Sequence, residues 1–215
     1  MFPTLVTVKY YLLKEQIKVI CRYYPKWRFA LADCTLSLLY LFSNPYRVCR
    51  KFLQKKGAKN IYAYGETPLT TLEHIAASFG IGPQDRWLEL GSGRGRGCLW
   101  LSLYLGCQTE GIEWIPSFVK KANWVRNVWG VTNAFFQKKS VEEADFSQAT
   151  VVYLYSTCMS TDEIENLLSR MAPLPSGSKV ITISESLDFP SYTLVKSTPV
   201  SFPWGETDAY LHRKE

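Results

Sequence analysis

Histidine is nearly missing: His74 and His212 are the only two, and no His/Cys group stands at metal-ligand spacing, so no metal site is expected. A Ser-His-Asp hydrolase lacks its parts as well, because no Gly-x-Ser-x-Gly elbow occurs. No CxxC pair joins the cysteines (Cys21, Cys34, Cys49, Cys98, Cys107, Cys158), and no secretory leader precedes them; they read as reduced thiols of a cytoplasmic protein. The mostly apolar stretch 28–42 contains Asp33. It falls short of the ~20 residues a bilayer span needs, so it reads as a buried helix, and no transmembrane segment is expected. Internal repeats and low-complexity segments are absent too.

Charge is unevenly spread. Residues 1–60 carry twelve Lys/Arg against Glu15 and Asp33, a net of +10, while residues 61–215 carry 13 basic and 17 acidic residues, a net of −4. The split suggests a basic helical extension, 1–60, ahead of a ligand-binding domain, 61–215. Two readings of the extension stand: it draws an acidic partner (nucleic acid or an anionic surface), or its lysines are the wet faces of amphipathic helices packed on the domain.

Periodicity predicts helices over 5–23 and 28–42, and a third from Asn44-Pro45, cap and first turn, to a stop at Gly57. Thr67 is expected to cap, and Pro68 to open, a helix through Phe79. Strands follow at about 86–90, 108–113, 133–137, 151–155 and 179–184, with helices at about 95–105, 116–129 and 161–171 between them. Runs 192–201 and 206–213 flank Phe202-Pro203-Trp204-Gly205, an antiparallel hairpin. Regular alternation of this kind gives an α/β fold: a mostly parallel sheet with helices on both faces, closed by an antiparallel edge.

The most informative stretch is Trp87-Leu-Glu-Leu-Gly-Ser-Gly-Arg-Gly-Arg-Gly97, a strand ending in an acid and then glycine at every second position. A strand that must stop, turn tightly under a ligand and enter a helix needs such a run, and the helix start offers free N–H groups to an anion. Glu113, 24 residues after Glu89, closes the next strand. It is placed to accept hydrogen bonds from two ribose hydroxyls, so a nucleoside-like cofactor is expected across the tips of the two strands. A dinucleotide loop would read Gly-x-Gly-x-x-Gly. Here Glu89 stands two residues before Gly91, where a carboxylate can bind an ammonium group that a pyrophosphate does not offer.

This pattern resembles the first motif of class I S-adenosylmethionine-dependent methyltransferases. The resemblance implies a Rossmann-like seven-stranded sheet of order 3-2-1-4-5-7-6 and S-adenosyl-L-methionine as cofactor. It puts Glu89 near the methionine end, Gly91, Ser92 and Gly93 beneath the cofactor, and Glu113 with its neighbour Trp114 on the nucleoside side. Upstream, Tyr64-Gly65-Glu66-Thr67-Pro68 is similar to the lead-in loop of the non-SET, seven-strand histone-lysine methyltransferases and of small protein-lysine methyltransferases. By that likeness Tyr64, Glu66 and Thr67 close over the methionine end, and the acceptor is a protein lysine. The alternatives are a nucleic-acid or small-molecule acceptor, or a non-catalytic cofactor-binding module. Two departures stand out. Gln137-Lys138-Lys139-Ser140 follows the third strand where such families often carry an acid, leaving adenine to the backbone or Ser140. Tyr153-Leu154-Tyr155-Ser156-Thr157 replaces the Asn-rich stretch of the histone enzymes. Tyr155, Ser156 and Glu66 are therefore the expected catalytic residues. Arg96 is read as a ligand for the cofactor carboxylate or an acidic substrate group, and Arg94 either joins it or faces solvent.

Overall fold

A computed structural model describes residues 4–58, 60–62, 64–159 and 161–215. Helices α1 (Leu5–Tyr23), α2 (Trp27–Leu39) and α3 (Pro45–Lys55) come first, and α4 (Leu69–Ser78) leads into β1 (Arg86–Leu90). Then follow α5 (Arg96–Trp100), β2 (Gln108–Glu113), α6 (Pro116–Val128), β3 (Ala134–Lys138), β4 (Val151–Leu154), α7 (Thr161–Arg170) and β5 (Lys179–Ile183). The chain closes with β6 (Tyr192–Phe202) and β7 (Gly205–Lys214). The sheet runs β3-β2-β1-β4-β5-β7-β6, parallel from β3 to β5, with β7 antiparallel to both its neighbours, in agreement with the order expected from sequence. Strand order reverses between β1 and β4, which opens a crevice at their carboxyl ends.

Alternating side chains divide the core into two layers. Trp87, Val151 and Tyr153 join the layer under α4, α5 and α6; Leu88, Leu90, Val152 and Leu154 face α7. The first sixty residues add Val19, Tyr23, Phe29, Ala32, Leu36 and Cys49 to the first of these layers. Among the described residues, three of their twelve cations are held by the fold through ion pairs or hydrogen bonds: Arg22 pairs with Glu73, the Lys26 amine donates to the Tyr104 carbonyl, and the Arg28 guanidinium to those of Trp129 and Gly130. Cys21, Cys34, Cys49, Cys98 and Cys107 are free thiols; the Cys158 side chain lies outside the described residues.

Local signals mostly act as expected. Asn44 Oδ1 accepts from the Tyr46 amide and Pro45 opens α3. Three details differ. The second helix ends at Leu39 in a turn, three residues before the apolar run does. The helix after the glycine loop finishes as a π-turn over Leu101–Leu105. Thr67 does not cap α4: its hydroxyl lies 2.6 Å from the Tyr153 hydroxyl, and Pro68 holds the cap position without a side-chain bond. A cap contributes about 1 kcal/mol at an exposed site. Here the phenol of Tyr153, buried in β4, needs a partner, and Thr67 meets that need.

Candidate active site

The crevice at the tips of β1 and β4 is lined by Glu66, Thr67, Glu89, Gly91, Ser92, Gly93, Arg94, Arg96, Tyr153 and Tyr155. The structure thus brings most of the residues singled out in the sequence around one cavity. Gly91 (φ +76°) and Gly95 (φ +78°) both lie in the left-handed region, for different reasons. A Cβ on Gly91 would meet nothing within 4 Å among the described residues and would project into open space, whereas one on Gly95 would strike the Phe136 ring and Ala122. Gly91 leaves room for a ligand, and Gly95 lets the loop seat on β3.

Of the two acids that line this cavity, Glu66 and Glu89, the second has no cation among the described residues. Burial pushes the Glu89 carboxyl up to about 7, against the hydrogen bond from the Cys98 thiol to Oε2 at 3.0 Å. Glu113 is also raised by burial to about 7, although its carboxylate accepts from the Gly93 amide at 2.8 Å and the Ile115 amide at 2.7 Å. It therefore fixes the glycine loop, and each oxygen keeps a further lone pair for a donor. Ser92 carries a buried hydroxyl with no hydrogen-bond partner among the described residues. An acid short of a cation, an orphaned hydroxyl and a glycine facing open space form a donor and acceptor set that fits the amino-acid tail and sugar of an S-adenosyl group.

Above the cavity, Arg94 grips Glu66 with two bonds, Nε to Oε1 at 2.5 Å and NH2 to Oε2 at 2.6 Å, while the Tyr64 hydroxyl donates to Oε1. Burial alone would raise the Glu66 carboxyl, but the Arg94 hydrogen bonds and charge outweigh it and hold the group below the usual carboxylate range. Arg94 is thus no solvent-facing residue: it ties the lead-in loop to the glycine loop. Arg96 lines the cavity and is engaged from behind by Asp33 of α2, Nε to Oδ1 at 2.6 Å and NH2 to Oδ2 at 2.7 Å. The lone acid of an apolar helix was the sequence signal that could have found this partner, because a cation beside a buried carboxylate offsets the cost of burying its charge. Asp33→Ala is expected to lower stability by about 3–5 kcal/mol, since it leaves the Arg96 guanidinium buried and unpaired. Urea denaturation of the variant checks this, and an unchanged midpoint would remove the pair from the fold's support.

Tyr64 and Glu113 reach the cavity wall only through Glu66 and Gly93, and three further expected site residues stand apart from it. Ser156 is buried, its hydroxyl donating to the Ile183 carbonyl at 2.9 Å, because the chain turns into a 3-10 helix directly after β4. It does not line the acceptor side. Trp114 lies edge-on to Phe52 of α3 with ring centroids 5.1 Å apart. Ser140 sits past the tip of β3 in a capping box with Glu143. A second, larger cleft of about 640 Å³ adjoins the first through Gly65, Glu66 and Tyr155, and adds Tyr46, Tyr62, Tyr64, Pro203 and Trp204. The Trp204 indole donates to the Tyr155 hydroxyl at 2.8 Å, joining the β6–β7 turn to the tip of β4.

A sequence profile of the family Histone methylation protein DOT1 matches residues 49–199, well over half of the chain. The chain belongs to the DOT1 histone methylation family. It is a class I methyltransferase that uses S-adenosylmethionine. Solved structures with the same fold include an RNA methyltransferase from Salinibacter ruber in complex with S-adenosyl-L-homocysteine, 25% identical, covering 70% of this chain and 95% of that one, at a TM-score of 0.58. A point mutant of MtNAS is 12% identical and covers 94% of this chain and 76% of its own, at a TM-score of 0.57. TrmN from Thermus thermophilus is 13% identical and covers 67% of this chain and 48% of its own, at a TM-score of 0.56. No curated protein sequence matches. The DOT1 match opens within α3 and ends within β6, so it spans the lead-in loop, both acids at the strand tips and the Tyr155 segment. No helix among the described residues is long and apolar enough to cross a membrane.

Proposed function

We propose that this methyltransferase N-methylates a lysine side chain of a protein. The observation that carries the reading is the aromatic cleft beside the cofactor cavity. Tyr46, Tyr62, Tyr64, Tyr155 and Trp204 offer flat apolar walls for a methylene chain, and π-faces that attract a cationic or methylated amine. The family's own description, histone methylation, agrees with a protein acceptor. The segment after β4 departs from the histone enzymes, so the protein acceptor is left at lysine in general.

S-adenosylmethionine supplies a methyl group already activated by its positive sulfur. The chain's task is then to hold, orient and dry the reactants. In this reading Glu89 binds the ammonium group, Glu113 the ribose hydroxyls, and Gly91, Ser92 and Gly93 the tail. Arg96, steadied by Asp33, faces the carboxylate, with Trp114 and Ser140 at the outer, nucleoside end. Thr67 and Tyr64 close the lead-in loop. Tyr155 forms the wall common to both cavities and is the acceptor-side residue of choice. Glu66, clamped by Arg94, is a positioning residue: a carboxylate held below its ordinary range is a weak proton acceptor. Residues 1–60 act as an extension of the catalytic unit 61–215, and the reduced thiols suit a cytoplasmic setting.

Incubation with methyl-labelled cofactor and cell lysate, followed by peptide mass spectrometry, tests the assignment. Label on lysine, lost in Tyr155→Ala, is expected; label confined to RNA or small molecules overturns it. The basic extension and the likeness to an RNA methyltransferase favour a nucleic-acid acceptor, and the lysate assay includes RNA for that reason.

A further inference from the structure

Helix α1 has two apolar faces. Val8, Tyr11, Val19 and Tyr23 point inward with Glu15, whose carboxylate accepts from the Thr70 amide at 3.0 Å and the Thr70 hydroxyl at 2.6 Å. At 100° per residue, Val6, Tyr10, Leu13, Ile17 and Ile20 fall on the opposite side, in an unbroken stripe. They are 76%, 59%, 61%, 53% and 46% exposed. Lys9 borders the stripe on one flank and Lys14 on the other, with the Lys14 amine 4.6 Å above the Tyr10 ring; Lys18 follows one turn after Lys14, further from the stripe and beside the cleft that Glu15 lines. None of these lysines is in an ion pair among the described residues, and the helix's one acid faces inward. The next segments continue the pattern, with Trp27 and Phe42 exposed.

We propose that α1 docks on an anionic phospholipid bilayer, lying in the headgroup plane with the Val6–Ile20 stripe toward the acyl chains and the lysines on lipid phosphates. A solvated apolar stripe this long is unfavourable in a free monomer, so something covers it. Charge decides what. A second copy would bring two helices together that each carry Lys9, Lys14 and Lys18 and no outward acid. Nucleic acid offers phosphates but no apolar surface for five large side chains. A bilayer with acidic headgroups offers both, and a basic amphipathic helix is the element that uses them. With Lys9, Lys14, Lys18, Arg22 and Glu15 along it, α1 lies on a membrane and does not span it.

The test is flotation of the full chain with vesicles of phosphatidylcholine alone and of phosphatidylcholine mixed equally with phosphatidylserine. Flotation is expected with the mixed vesicles, falling as salt is raised, and not with phosphatidylcholine alone. Leu13→Gln/Ile17→Gln should weaken partitioning about 10–100-fold, with the unfolding temperature and S-adenosylhomocysteine binding unchanged. Should that variant unfold, Lys9→Gln/Lys18→Gln is the second probe, expected to cost about fivefold per charge. Absence of flotation overturns the proposal, as does flotation equal in the apolar variant and wild type. So does a lipid-free dimer in analytical ultracentrifugation that the apolar variant abolishes, because the stripe is then a self-association face.

Discussion

Glu89→Gln binds S-adenosylhomocysteine about 10–100-fold more weakly than wild type, the value of one or two hydrogen bonds to a charged group. The change keeps the shape of the side chain and an acceptor for the Cys98 thiol; it removes the charge and turns one acceptor oxygen into an NH2 donor. Charge is what the site holds in reserve, since burial keeps Glu89 near 7 with no cation beside it. An ammonium group favours the ionised carboxylate, and ribose hydroxyls favour the ionised Glu113, which is likewise raised to about 7 by burial. Both acids must therefore give up a proton to bind, and wild-type affinity falls as pH drops through 7. In the ligand-free protein the sign is opposite. The unfolded chain ionises both acids in the ordinary carboxylate range, so folded stability declines as pH rises from that range to about 7. The analogue then restores it, and its thermal shift is larger at pH 8 than at pH 6. In Glu89→Gln only the Glu113 share of this dependence survives. Titration calorimetry of both proteins at the two pH values decides the matter. Equal affinity at pH 8 with an unaltered pH slope would place Glu89 outside the site.

Gly95→Ala and Gly91→Ala separate folding from binding within one loop. The two glycines have φ of +78° and +76°, so each alanine meets a left-handed backbone. At Gly95 the added Cβ also meets the Phe136 ring, at 2.8 Å from Cζ, and Ala122 at 3.1 Å. The partners are ring carbons on β3 and a buried methyl on α6, neither with room to retreat. Backbone strain and overpacking together cost about 3–5 kcal/mol. That is a large fraction of a typical domain's roughly 5–15 kcal/mol, so Gly95→Ala is expected to be poorly folded at about 37 °C. At Gly91 nothing among the described residues lies within 4 Å of the new atom. That variant stays folded and loses cofactor affinity instead, because its methyl occupies ligand space. Circular dichroism melting and calorimetry on the pair check the contrast; a stable Gly95→Ala, or a Gly91→Ala that binds normally, contradicts it.

The chain's own pattern determined the frame. Period-two and period-3.6 spacing set strand and helix order to within a few residues. The acid–glycine run at 89–97 and Glu113 marked the strand tips where the cavity opens, because few backbones use glycine at every second position after a buried acid. These are local facts, carried by neighbours in sequence. Which charges meet was decided only in three dimensions. Asp33 reaches Arg96 across 63 residues, Arg94 folds back onto Glu66 across 28, and Tyr153 takes Thr67 from its helix cap across 86. Ser156 turns inward although its neighbour Tyr155 lines the cleft. Long-range pairs of this kind follow from burial: a charge or hydroxyl removed from water takes whichever partner the packed core brings within about 3 Å, and sequence spacing does not encode that choice.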